Sequence, residues 1–291
     1  MYNKKKIHAL IIDPQRSFCD TVPFEEQQKV HNGELKVPGA DQDMVRLARL
    51  IKKEVDRIDG ITLTLDQHHN LHISHPLAWI GKNTGKHPAP FTVMYGVDGK
   101  IFGKLGDTVI DEYIPLIDRE WFTKYVLNVA KNGRYMHCIW PPHCLIGTTG
   151  ACIVPAVIDA LFEWETGKKI RFVNKVTKGS NYRTEHFSAV RSEIIDPDDA
   201  TTNINVDFIQ TVNDNDVILL AGEAGSHCLA ETVKDIHNYF GDDRFISKCV
   251  LLEDCTSPVT GFEKQYKEGF VETMVKHGMK VATSEDVFKL I

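Results

Sequence analysis

Residues 216–240 read DVILLAGEAGSHCLAETVKDIHNYF, and the order of residue types in this stretch decides the architecture. Val217 to Ala221 form a short, unbroken apolar run rich in branched side chains, the pattern of a strand buried on both faces of a parallel sheet. Beyond it Leu229, Val233, Ile236 and Phe240 recur at helical spacing, so a helix begins close to Ser226 and lies back across the sheet. Cys228 falls in the first turn of that helix. Unpaired amides and the positive end of the helix dipole favour a thiolate there, and Gly222 and Gly225 let backbone come close to a ligand. A cysteine in such a chain is more often an inert core residue, so a nucleophilic reading needs support from elsewhere.

The flanking chain repeats the strand-then-helix rhythm. His8 to Ile12 is an apolar run ending at Asp13-Pro14, a first buried strand with an acid at its carboxyl end. After a loop over residues 20–39, Met44, Leu47, Ala48, Ile51 and Val55 form the apolar stripe of a helix. Gly60 opens a second strand, ITLTLD, ending at Asp66. A helix from Ile153 to Trp164, a strand from Ile170 to Asn174, a strand from Cys249 to Leu252, a helix from Gly261 to Met274 and a last strand from Lys280 to Thr283 follow. This alternation predicts an α/β fold with a doubly wound, mostly parallel sheet and helices on both faces, binding its ligand beyond the carboxyl ends of the strands. Asp13, Asp66, His68, Lys178 and Cys228 all fall at such ends. Singly, Asp13 reads as a turn former and Lys178 as a solvated surface residue; together they mark one site.

In extended chain, side chains two apart point the same way, so Asp66 and His68 reach one point beyond the strand and His72 can follow through the turn. A carboxylate with imidazoles suits zinc, iron or manganese. His143, held by the two preceding prolines Pro141 and Pro142, is the third expected ligand. Residues at about 76–135, just before the WPPHC loop, carry glycines, prolines, a charged segment around Asp111 to Glu120 and one helix-like patch near Trp121 to Val129. They read as an insertion in a single domain spanning residues 1–291, because their apolar periodicity is too weak for a core of their own.

A formal net charge of −6 with interspersed signs leaves no basic patch, which argues against nucleic acid and membrane partners and for a small molecule. The apolar run after MYNKKK is too short for a signal peptide, and no membrane-length stretch occurs, so a cytoplasmic location is expected. Seven cysteines without a compact framework or CxxC pair suit reduced thiols. Association into a homo-oligomer is left open.

With these residues in hand, the chain resembles the nicotinamidase branch of the isochorismatase-like cysteine hydrolases. Asp13 followed by Phe18, the GxLxVPGA pattern from Gly33 to Ala40, the DxHxxxH loop of Asp66, His68 and His72, and WPxHCxxGTxGA from Trp140 to Ala151 match that family. So do Lys178-Gly179 with Phe187-Ser188-Ala189, and the GxAxxxC arrangement of Gly222, Ala224 and Cys228. The insertion is longer than usual, Glu223 replaces an apolar residue, and Phe187 and Val190 stand where Tyr and Phe are common. The resemblance implies a catalytic triad of Asp13, Lys178 and Cys228, with an oxyanion site made by the amides of Ala224 and Cys228 after a cis peptide at Glu223-Ala224. It also implies one divalent metal ion, zinc first with iron or manganese as alternatives, on Asp66, His68 and His143 with His72 as a fourth candidate. Phe18, Trp140, Phe187 and His227 would line the substrate pocket. The implied activity is hydrolysis of nicotinamide to nicotinate and ammonia through a Cys228 thioester. Two alternatives stand beside it: an amidase of the same superfamily acting on another carboxamide or an N-carbamoyl compound, and a non-catalytic binding or assembly protein on this fold.

Overall fold

The computed structural model describes residues 5–19, 34–132 and 134–291. The loop expected from residue 20 onward, up to residue 33 and including Gly33, lies outside them. Strands β1 (Ile7–Ile12), β2 (Gly60–Asp66), β8 (Asn174–Lys178), β9 (Val217–Gly222), β10 (Cys249–Leu252) and β11 (Lys280–Ala282) form one sheet in the order β11-β10-β9-β1-β2-β8. Every pairing in it is parallel. The chain builds outward from β1 in both directions, which is the doubly wound arrangement.

The unbroken apolar runs follow from this position. In β1 the residues Ile7, Ala9 and Ile11 enter a core shared with helices α1 (Ala40–Lys53) and α3 (Pro155–Glu165). Leu10 and Ile12 enter the opposite core with α4 (Val206–Asn213) and α5 (Ala230–Phe240). A central strand covered on both faces has no solvent side, so it has no polar alternation. Each such Leu or Ile contributes about 1.5–3 kcal/mol by leaving water.

The edge strand β8 departs from expectation. The strand expected over Ile170–Asn174 lies further on, at Asn174–Lys178, in register with β2 from Thr62↔Asn174 to Asp66↔Lys178. Ile170 and Phe172 are 86% and 87% exposed, so that apolar pair belongs to a loop. The true strand is polar because it is an edge, and Lys178 is its last residue. The helix expected from Ser226 begins with a π-helical turn, Gly225–Leu229, before α5. The C-terminal helix is likewise interrupted by a π-helical turn at Lys267–Glu272. Helix α4 had no counterpart in the sequence reading.

The stretch at about 76–135 corrects a second expectation, because it does carry a core. Strands β3 (Trp79–Gly81), β4 (Val93–Val97), β5 (Lys100–Leu105), β6 (Thr108–Pro115) and β7 (His137–Cys138) form an antiparallel sheet in the order β3-β6-β5-β4-β7. Helix α2 (Arg119–Asn132) packs on it, and Trp79, Met94, Ile101, Tyr113, Phe122 and Val126 are buried between them. Each strand sends only one or two apolar residues inward, too few for a periodic signal. Two hairpin turns were nonetheless written in the chain: Asp98-Gly99, with φ of 48° and 75°, joins β4 to β5, and Gly106-Asp107 joins β5 to β6. Among the described residues no helix is long and apolar enough to cross a membrane.

Candidate active site

Four neighbouring strands, β9-β1-β2-β8, each deliver one residue to a single point beyond the carboxyl edge. Cys228 follows β9, Asp13 follows β1, and Asp66 and Lys178 end β2 and β8. The Lys178 ammonium lies 2.9 Å from Asp13 Oδ2 and 3.0 Å from Asp66 Oδ1, and donates to Cys228 Sγ at 3.5 Å. All four side chains are buried. Asp13 has φ of 41°, an uncommon conformation for a residue with a Cβ, and Thr64 Oγ1 both accepts from its amide and donates to its Oδ1. At the end of β9, Gly222 has φ of 108°, and a Cβ there would meet Ile12 O at 2.0 Å, so the turn into Cys228 admits only glycine. The Glu223-Ala224 peptide is cis.

Burial sets the electrostatics of this cluster. It pushes the Cys228 thiol well up, against the pull of Lys178 and with the help of Asp13 and Asp66. Burial also raises Asp13, against the pull of Lys178. Burial alone would lower Lys178, but Asp13, Asp66 and Cys228 outweigh it and hold the ammonium well above its usual range. Burial would likewise raise Asp66, yet His68 and Lys178 keep it well below the carboxylate range. The resting state is therefore a thiol beside an ammonium, not the thiolate expected from the helix end.

Asp66, His68 and His143 present ligand atoms within 4.8 Å of one another. His68 Nδ1 donates to Gly179 O at 3.0 Å and His143 Nδ1 to Pro141 O at 2.9 Å, since a carbonyl only accepts. Both imidazoles are thereby set to offer Nε2 toward Asp66 Oδ2, at 2.8 Å for His68 and 3.5 Å for His143. A lone pair facing a carboxylate at that distance repels unless a proton or a cation lies between them. This is the donor set and outer hydrogen bonding that a zinc-like ion uses, so the residues fit a metal. Gly179 makes room for it: a Cβ there would meet Asp66 Oδ1 at 2.5 Å and His68 Cε1 at 2.9 Å. His72 does not join the trio. Its Nδ1 accepts from the Ser74 amide and its Nε2 donates to Thr184 O, both at 3.2 Å, which leaves no nitrogen for a metal.

The cluster opens on a pocket lined by Phe18, Trp140, His143, Phe187, His227 and Cys228, with Asp66 also on its wall, so Cys228, two members of the ligand trio and the aromatic residues border one space. Trp140 stands edge-on to His227 with ring centroids 5.4 Å apart, and Phe187 lies 5.4 Å from the same ring. Five residues in or around this site escaped the sequence reading, Thr64 on Asp13 among them. Glu185 and His186 line the same wall. Gln15 braces Asp66, accepting from its amide and donating to its carbonyl, both at 2.7 Å. Tyr135 Oη donates to Ser226 O at 2.6 Å, tying the end of the 76–135 stretch to the turn that carries Cys228. The alternation of β2 was the one available signal, since it puts Thr64 on the same face as Asp66; the others depend on tertiary contact.

The arrangement defines a buried cysteine, acid and lysine site with an adjoining metal-ligand trio on a doubly wound sheet. Solved structures of that fold are found among the nicotinamidases. The yeast nicotinamidase Pnc1p, bound to the inhibitor nicotinaldehyde, superposes over 95% of this chain and 99% of its own with a TM-score of 0.60 at 17% identity. A nicotinamidase and pyrazinamidase of Acinetobacter baumanii covers 99% of this chain and 100% of its own with a TM-score of 0.57 at 18% identity. The pyrazinamidase of Pyrococcus horikoshii in complex with zinc covers 96% and 99% with a TM-score of 0.50 at 16% identity. These likenesses establish the fold expected from the motifs. By sequence alone, no family model and no curated protein matches the chain.

Proposed function

We propose that the protein is a metal-dependent cysteine amidohydrolase that converts nicotinamide and water to nicotinate and ammonia. The observation that carries this reading is the contact of Cys228, Asp13 and Lys178 with the Asp66, His68 and His143 trio beside an aromatic pocket that Cys228, Asp66 and His143 line. Because burial keeps the proton on Cys228, a base is required at the moment of attack. Asp13 takes that proton as Sγ bonds to the carboxamide carbon, and returns it to the nitrogen that leaves as ammonia. The thioester is then hydrolysed by water, which gives one proton to Asp13 while its oxygen bonds to the acyl carbon; the Cys228–carbon bond breaks and sulfur recovers a proton. Lys178 keeps Asp13 ionised beside Asp66, two anions that would otherwise not share this volume. The Ala224 and Cys228 amides take the oxyanion; among the described residues the Ala224 amide has no other acceptor.

Asp66, His68 and His143 hold one divalent ion, zinc by donor type with iron or manganese as alternatives, which supplies a Lewis-acidic point for the pyridine nitrogen and for water. Phe18, Trp140 and Phe187 flank the ring, and His227 closes the wall. A solved relative of the same fold bound to nicotinaldehyde and another in complex with zinc support this assignment. In this reading the chain is one domain over residues 1–291 with the 76–135 stretch inserted, and works in the cytoplasm, where Cys228 stays reduced. The test is ammonia release by zinc-loaded protein across a panel of amides. Nicotinamide is expected to be turned over fastest and benzamide, which lacks the ring nitrogen, poorly. Release from N-carbamoyl compounds with none from pyridine carboxamides would overturn the assignment of substrate.

A further inference from the structure

We propose that His237, Asp243 and His277 form a second metal site, on the surface and distinct from the buried trio, for a divalent transition-metal ion that accepts two imidazoles and a carboxylate, such as Zn2+. The three residues come from separate segments: the last turn of α5, the turn after it, and the residue that follows the C-terminal helical run Thr273–Lys276. His237 is nine residues beyond Cys228, about 14 Å along a helix. The site therefore lies at the opposite end of α5 from the nucleophile and does not depend on the proposed reaction.

The geometry points to coordination. His237 Nε2 and His277 Nδ1 lie 3.0 and 2.9 Å from the same oxygen, Asp243 Oδ1, with ring centroids 4.7 Å apart and all three ligand atoms within 4.8 Å. Ligands about 2.1 Å from a tetrahedral zinc ion stand roughly 3.4 Å apart, so small side-chain adjustments would bring these donors onto one ion. Two nitrogens and one carboxylate oxygen are a borderline-soft set that suits Zn2+, Co2+ or Ni2+ better than Mg2+ or Ca2+.

The donors are held in advance. Gly241 donates to the His237 carbonyl at 3.0 Å, the Ser247 amide and hydroxyl both donate to the Asp243 carbonyl at 2.9 and 2.7 Å, and the His277 amide donates to Met274 O at 3.1 Å. The neighbouring cation Arg244 is paired with Asp242 at 2.7 Å. The side chain of His237 is only 14% exposed, whereas Asp243 and His277 are 54% and 42% exposed, so water reaches the open side and can complete the coordination shell. A bound ion would tie the end of α5 to the segments leading into β10 and β11.

Zn2+ uptake by the metal-stripped full-length chain, measured by elemental analysis after gel filtration and by thermal shift, tests the proposal. The unmodified protein is expected to retain two equivalents and His277→Asn one, with a smaller Zn2+-induced rise in Tm and unchanged ammonia release. Asparagine can still hydrogen-bond to Asp243 but is a poor zinc ligand. Asp66→Ala, which disables the buried trio, is expected to keep the His277-dependent equivalent, so failure of the buried site is read separately. Equal stoichiometry and equal thermal shift in the unmodified protein and His277→Asn would mean that the three side chains are only a hydrogen-bonded cluster, and the proposal would be wrong.

Discussion

Lys178→Met removes the one cation among three acidic groups, and its effect can be worked through from the structure. The ammonium lies within 3.0 Å of two buried carboxylates and donates to Cys228 Sγ. Breaking a buried ion pair from one side leaves an uncompensated charge and costs about 3–5 kcal/mol. Without Lys178 the upward push of burial on Asp13 is opposed mainly by the Thr64 hydrogen bond, so its charged form becomes costly to hold and its action as a base is weakened. Loss of a general base lowers kcat by about 10²–10⁴. Two assays separate the effects: denaturant unfolding for stability and ammonia release for kcat. Adding Asp13→Asn to Lys178→Met removes the stranded charge, so the double variant is expected to regain stability while its activity stays as low as that of either single one, because residues acting as a unit are non-additive. Lys175, exposed on the same strand, is the internal control, and Lys175→Ala should change neither quantity. Retention of a tenth of kcat in Lys178→Met, or further destabilisation on adding Asp13→Asn, would refute this account of the cluster.

Cys228→Ala is expected to abolish ammonia release while the fold and the bound metal remain; residual turnover at a tenth of kcat would favour a metal-activated water as the nucleophile. Asp66→Ala and His143→Ala should each lose the buried ion, and the exposed His69→Ala should keep it, with elemental analysis deciding between them. His8 is lowered to about 4 by burial and by Lys6, and its Nε2 meets Thr62 Oγ1 at 3.0 Å. Its folded-state value is depressed, so the unfolded chain binds the extra proton; stability is lost as pH falls below about 6.5 and the loss reaches about 3 kcal/mol at pH 4. His8→Val should flatten the stability curve over that window by this amount, and an unchanged slope in urea unfolding between pH 6.5 and 4 would show that His8 is not the group.

What the chain revealed before its structure was known depended on how local the cause was. β1, β9 and β10 were legible because strands covered on both faces carry nearly unbroken apolar runs, and β2 because Ile61, Leu63 and Leu65 alternate with the buried Thr62 and Thr64. β8 was not, because an edge strand has a wet side and its Asn174, Lys175 and Thr177 look like loop. The error in its boundary left Lys178 correctly at the strand's carboxyl end, since its role comes from the Asp66↔Lys178 pairing rather than from where the strand starts. The four strands of the 76–135 stretch, with β7 just beyond it, share one core with α2, and no strand carries enough of it to be periodic. The two-residue turns Asp98-Gly99 and Gly106-Asp107 are local signals in that stretch that the sequence reading passed over. His72 and His143 illustrate the same limit at the site. His72 was expected from its spacing and His143 from its proline-held loop, and what separates them as candidate ligands is whether backbone groups already hold both nitrogens, which neither signal encodes.

The state of Cys228 is the point at which local and global physics disagree, and magnitudes decide it. A helix N-terminus stabilises a neighbouring anion by about 0.3–2 kcal/mol. Full burial moves an ionisable group by up to about 3–5 pH units, each worth about 1.4 kcal/mol, against the charged form. Burial therefore wins, and the first turn at Gly225–Leu229 aims the sulfur without ionising it. That result explains why the site needs three acidic groups around one lysine. In the proposed reaction a thiolate formed in advance would have no use for Asp13, whereas a thiol would have to pass its proton to a base such as Asp13, which Lys178 contacts at 2.9 Å. In that reaction the sulfur would lose its proton only as its bond to carbon forms and the negative charge passes to the carbonyl oxygen, so it would never bear the full cost of standing as a free anion in a dry site.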